Sequence, residues 1–290
     1  MKKYPDIKSI RPLFSKNELA KFENEFDFMN AYVEFLKQTI TILNIIVQTV
    51  YFDKEKKPIK LSRNEAIIAG NLSRLIKLNT SFLQNVCEHK FEISSIVSRS
   101  LAETGINLLY MIQEGEENVL RNYVKHSLIT EKKLLDIIKS NIEARGGETW
   151  NIEKRMESSI NKTFEKSDFD LDEVNRSSKW KSIAQRAESV VGEMFYGVYY
   201  GINSHTVHGN WQDLYFNHLH RHEDGFTINL EWNSAKPQVF ESNIIFNLLI
   251  TKSFVTKEKF ENITEYTKTI DLFNEYLSDL IRYHEAFLTS

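Results

Sequence analysis

The chain has 290 residues, a net charge of −3, four Pro, ten Gly and one cysteine. That length supports a large core, and so few Pro and Gly exclude long flexible linkers and a turn-dense all-β fold. An acidic excess of 40 to 37 argues against a nucleic-acid coat protein, which needs a broadly basic surface, but leaves room for a local basic pocket.

The N-terminal stretch carries Lys2 and Lys3 but no apolar run, so no signal peptide is expected. No apolar run reaches the ~18 residues of a membrane-spanning helix. With Cys87 alone there is no intramolecular disulfide, and the expected location is the cytoplasm.

Ser15 and Glu18 spell a capping box that opens the first predicted helix. Apolar residues then fall at Leu19, Phe22, Phe26, Met29, Val33, Leu36, Ile40, Leu43, Val47 and Val50, in alternating steps of three and four. Phe28, Tyr32, Phe35, Ile42, Ile45 and Ile46 widen that face. The pattern predicts a central helix packed on several neighbours, with self-association through the stripe as a second use.

A second capping box, Ser62 and Glu65, opens the next helix, which continues through Leu72, Leu75, Phe82 and Val86. Further helices are predicted over 91–113 and 117–143, the latter stopped by Gly146 and Gly147. The polar stretch 145–178 reads as a short helix and a mobile loop. A helix over 180–208 follows, aromatic at Phe195, Tyr196, Tyr199 and Tyr200. The period then changes to two, and Leu214–His220 with Phe226–Trp232 predict a β-hairpin. Two last helices are expected over 238–260 and 262–288. The expectation is one all-α domain, a multi-helix bundle with a small hairpin near 214–232 and a core from 15–143 and 178–288.

Several polar residues sit where this pattern wants apolar ones. Arg99 and Glu103 lie one turn apart on an otherwise apolar face, placing either a register-fixing ion pair or an anion pocket there. Ser204 and His208 are likewise one turn apart, and Arg186 shares their stripe. Five of the eight His fall between 205 and 222, so His208, His218 and His220, with Asp213 or Glu223, are candidate metal ligands. The hexapeptide Arg121-Asn-Tyr-Val-Lys-His126 pairs a permanent cation with a group that titrates near neutrality. On a straight α-helix, five residues correspond to about 140° of rotation, so the two do not converge by default.

Three segments resemble one family: Arg99-Ser-Leu-Ala-Glu103-Thr-Gly-Ile-Asn-Leu-Leu-Tyr110, Arg121-Asn-Tyr-Val-Lys-His126 and Ser204-His-Thr-Val-His208-Gly209. The family is a group of helical, mostly bacterial proteins labelled as a domain of unknown function, and the resemblance covers about residues 70–215. The hexapeptide is also similar to the Arg-polar-x-x-x-His motif of HEPN (higher eukaryote and prokaryote nucleotide-binding) ribonucleases. That resemblance implies Arg121 and His126 as catalytic residues, paired across a homodimer.

The leading expectation is a metal-independent endoribonuclease acting as a toxin or phage-defence effector, with no cofactor. His126 takes the proton from a 2′-hydroxyl and Arg121 steadies the charge on phosphorus. Arg99, Glu103, Ser204 and His208 position the substrate. RNA or a nucleotide, a second copy of the chain, and an antitoxin or sensor protein are the expected partners. Two alternatives are a non-catalytic helical module that binds a nucleotide or anion or serves oligomerisation, and a metal hydrolase using the 205–222 histidines.

Overall fold

The structure, a computed structural model, describes residues 6–174, 179–258 and 263–289. Among these it is all-α apart from one two-stranded antiparallel sheet. No described helix is long and apolar enough to cross a membrane.

Both predicted capping boxes form. Ser15 caps α1 (Lys16–Leu19) and Ser62 caps α3 (Arg63–Cys87), each with its Glu returning to the cap backbone. The first helix does not run on from Ser15 as predicted, however. Asn24 starts a new one, α2 (Glu25–Tyr51), its side-chain oxygen accepting from the Asp27 amide at 3.1 Å. Burial on α2 also differs from the predicted emphasis. Phe28, Tyr32, Phe35, Ile42, Ile45 and Ile46 are all buried, whereas Phe26, Met29, Val33, Ile40, Val47 and Val50 are partly or largely exposed. Leu36 and Leu43 of the regular stripe are buried too, but most of the stripe lies at the margin of the buried face and the apparent extras make up much of its centre.

The most enclosed helix is α4 (Phe91–Glu114) rather than the first. It packs on α3 and, from later in the chain, on α7 (Ile183–Val190), α9 (Ile202–His208) and α11 (Val239–Glu258). Gly105 permits the close approach of α11, because a Cβ there would overlap Phe246 and Ile250. Gly115, at φ 60°, ends α4 in the left-handed conformation. Beneath, α12 (Ile263–Leu288) lies against α2 and α11, and one apolar core joins these helices.

A second core lies to one side. Leu128, Ile129, Leu135 and Ile138 of α5 (Glu117–Ala144) pack on Ile160 and Phe164 of α6 (Asn151–Ser167) and on Phe169 and Val174. The short helix expected in 145–178 is therefore 17 residues long and helps build a core. Of the loop expected there, 175–178 lie outside the described residues.

The helix predicted over 180–208 is broken. Gly192, at φ 84°, separates α7 from α8 (Glu193–Phe195), and a π-helical segment, Tyr196–Gly201, leads into α9. After α10 (Trp211–Asp213) comes a second π-helical segment, Leu214–His218. The hairpin is consequently shorter than predicted. It pairs β1 (Leu219–His222) with β2 (Gly225–Ile228), Leu219 opposite Ile228 and Arg221 opposite Phe226, around a two-residue turn. The i→i+5 bonding of residues 214–218 takes the segment that alternation had assigned to a strand.

A candidate anion site on helix α4

Arg99 points from α4 toward α9. Its Nε donates to Ser204 Oγ at 3.0 Å, its Nη1 bonds Glu103 Oε2 at 3.1 Å, and its guanidinium lies 3.0 Å from the centre of the Tyr200 ring. Ser204 in turn donates to the Tyr200 carbonyl at 2.9 Å, so its hydroxyl is committed at both ends. His208 is exposed at the end of α9. The Ser204–His208 pair is therefore not arranged as a nucleophile with its base.

A second arginine joins the cluster from α7. Arg186 is only 5 % exposed and stacks on Trp180 at 4.4 Å, and Trp180 meets Tyr110 and Tyr123 edge-on at 5.4 Å each. Lys181 adds a third cation, 5.2 Å from the Tyr110 ring. Burial pulls both guanidinium groups below the ordinary arginine value, and the charge of Glu103 opposes that pull on each. Both stay cationic at any ordinary pH. Glu103 is itself half exposed. Arg186 Nε is buried with no acceptor among the described residues. Glu103 pairs directly with Arg99 alone, while Arg186 donates through Nη1 to the Lys181 carbonyl and feels Glu103 at longer range. Two stacked arginines near a single carboxylate accept an oxyanion more readily than they balance themselves.

A cavity of about 700 Å³ opens between α4, α9 and the hairpin region, lined by none of the cluster's own side chains. Ser95, one turn before Arg99, and His205 and Thr206, directly after Ser204, line it together with Asp213 and Asn217.

The hexapeptide contributes differently from expectation. Arg121 turns toward α6 and the segment after it, bonding Glu173 at 2.5 Å and lying 4.4 Å from the Phe169 ring. His126 is exposed. The helix is regular here, so the two side chains are not brought together within one chain. The residue of this motif that reaches the arginine cluster is Tyr123.

Nor do the histidines converge as a set. His220 and His222 lie on the exposed hairpin, with His222 Nε2 at 2.8 Å from Thr227 Oγ1, and His208 is exposed at the end of α9. His205 contacts Asn210, and His218 turns toward Glu92 and Asp213.

Of the cluster, Arg99, Glu103 and Ser204 were legible as polar residues on apolar stripes. Arg186 shared the last stripe, but nothing in the sequence joined it to Trp180. Tyr123 and Glu92 carried no signal, since an aromatic residue on a helix face and an acid in a first helical turn are both ordinary.

The fold and this cluster define an all-α protein with a cationic, aromatic-lined site at the meeting of α4, α7 and α9. A family model described as a family of unknown function, DUF5677, matches residues 65–226, from within α3 into β2, and the chain belongs to that family. No curated protein and no solved structure matches the chain.

Proposed function

We propose that this protein binds a phosphate-bearing ligand, a nucleotide or a short stretch of RNA, at the Arg99–Arg186 cluster. The carrying observation is the pair of ring-stacked, largely buried guanidinium groups, of which only Arg99 pairs with a half-exposed carboxylate while Arg186 Nε is buried with no acceptor among the described residues. Arginine presents a planar fork that matches phosphate oxygens, and the surrounding Tyr and Trp rings offer faces for a base. Glu103 then serves as the counter-ion that a phosphate displaces or shares.

The test is calorimetric titration of the purified chain with inorganic phosphate, ATP, GTP and a short RNA. At least one ligand should bind saturably, and Arg99→Ala should weaken it by ~2 kcal/mol, or about thirtyfold, the loss of one charge-assisted contact. Arg99→Lys, which keeps charge but loses the fork, should fall between. Binding by none of the four, or equal affinity in the Ala variant, would sink the proposal.

A ribonuclease activity on top of binding is a second reading. It is favoured by the partial exposure of both Arg121 and Glu173, which lets an RNA phosphate replace the carboxylate. Because α5 separates Arg121 from His126, the working pair would combine Arg121 of one copy with His126 of another, in a toxin or defence effector acting as a homodimer. Overexpression of the wild type should slow growth and degrade RNA, and Arg121→Ala and His126→Ala should each abolish both. Mixing the two inactive variants should restore part of the activity, since one hybrid site would hold both residues. Equal growth and intact RNA in the wild type and both variants would remove this reading.

A further inference from the structure

Glu92 in the first turn of α4, Asp213 at the end of α10 and His218 at the end of the second π-helical segment each turn one ligand-type atom to a common point. His218 Nε2 lies 3.4 Å from Glu92 Oε1 and 3.8 Å from Asp213 Oδ2, and all three atoms fall within 4.8 Å of one another. Charge-assisted hydrogen bonds are shorter, about 2.7–2.9 Å. The spacing instead suits a shared cation. Two ligands each about 2.1 Å from a tetrahedral ion stand roughly 3.4 Å apart.

We propose that Glu92, Asp213 and His218 bind a divalent transition-metal cation. One imidazole nitrogen and two carboxylate oxygens make a donor set suited to zinc, manganese or iron(II). The site is also built beyond its ligands. The Asp213 side chain is only 3 % exposed, and Asn217 donates to its Oδ1 at 2.9 Å, which leaves Oδ2 facing His218. Asn217 is held by Asn233, whose amide donates to its Oδ1 at 3.1 Å, and the His218 carbonyl accepts from the Asn229 amide at 2.8 Å. Such supports fix ligand orientation around metals.

The backbone accounts for the convergence. Asp213 and His218 are five residues apart, about 140° on an α-helix. The π-helical segment that begins at Leu214 bonds i to i+5 and returns the fifth residue to the starting face. Three protein ligands leave at least one position open. Asp213 also lines the 700 Å³ cavity, so that position has somewhere to face. Glu92 and Arg99 are seven residues apart on α4, about 10.5 Å along its axis, which sets the cation and the proposed anion site along one helix. The metal proposal does not depend on the anion reading.

The experiment is titration of the chelator-stripped full chain with Zn²⁺, Mn²⁺ and Co²⁺, followed by calorimetry and, for Co²⁺, by visible absorption. One equivalent should saturate the wild type. His218→Ala and Glu92→Gln should each weaken binding about 100-fold, and Asn217→Ala about tenfold, as loss of an orienting partner does. His220→Ala and His222→Ala should bind as the wild type. Circular dichroism establishes that each variant is folded. Asp213→Asn can be left out if it does not fold, since the other two ligands carry the test. No saturable binding of any of the three metals overturns the proposal. So does a loss that follows His220 or His222 in place of His218.

Discussion

His284 shows how one residue reports on the surrounding core. It is fully buried on α12, stacked on Phe28 at 4.6 Å and edge-on to Tyr32 at 5.8 Å, and neither ring nitrogen has a hydrogen-bond partner among the described residues. Burial lowers its pKa below the ordinary value, with the charges of Glu25 and Glu285 opposing. The folded chain thus holds it neutral, while the unfolded chain protonates it near pH 6.5. Below that point the unfolded state binds more protons, so stability is full above about pH 6.5 and falls as the pH drops through it. Urea unfolding of the wild type should show a lower midpoint at about pH 5.5 than at 7.5. His284→Phe, set among rings already present, should lose much less over the same interval. An unchanged slope in that variant would show that other groups set the acid sensitivity. The steps Leu277, Leu280, His284 place this ring on the core face of a helix, so its burial was legible from spacing alone. The same reasoning found Arg99 and Glu103, because a polar residue on an apolar stripe is a signal that survives without coordinates.

Elements were legible where local chemistry decides them, as at the boxes of Ser15 and Ser62 and the stop at Gly146 and Gly147. They were not where tertiary packing decides. Asn24 caps α2, yet a polar residue between two apolar steps reads equally well as a helix interior. Gly192 breaks the helix predicted over 180–208 within an aromatic-rich stretch whose apolar spacing does not falter. The π-helical segments are the sharpest case. Arg121 with His126 and Asp213 with His218 have the same separation in sequence, and only the second pair meets, because only its backbone winds i→i+5. Sequence spacing predicts side-chain convergence only once the winding is known. The first π-helical segment has the matching effect at the arginine site. It carries Tyr200 and leads into Ser204, the two groups that hold Arg99.

At the scale of the molecule, the remaining question is what meets the apolar surface around the hairpin. Trp211, Phe216, Phe226, Ile228, Leu230 and Trp232 are all more than 45 % exposed, Leu230 at 91 %. Scattered exposed apolar residues are ordinary, but six within 22 residues of chain, beside a hairpin largely exposed on both faces, mark this region as the candidate for an interaction surface. The α2 stripe is the weaker candidate for self-association, since its partly buried residues Met29, Val33, Ile40, Val47 and Val50 already pack on the chain's own core. We therefore expect self-association through the hairpin. Light scattering coupled to size exclusion should give twice the 34.1 kDa chain mass at micromolar concentration. Ile228→Glu with Leu230→Glu should return the mass to that of one chain without loss of helical signal, because neither side chain belongs to a core cluster. Phe26→Glu, on the exposed edge of α2, should leave the dimer intact. A dimer that survives the hairpin pair and dissociates with Phe26→Glu would move the interface to α2, and a wild type of single-chain mass would remove self-association altogether.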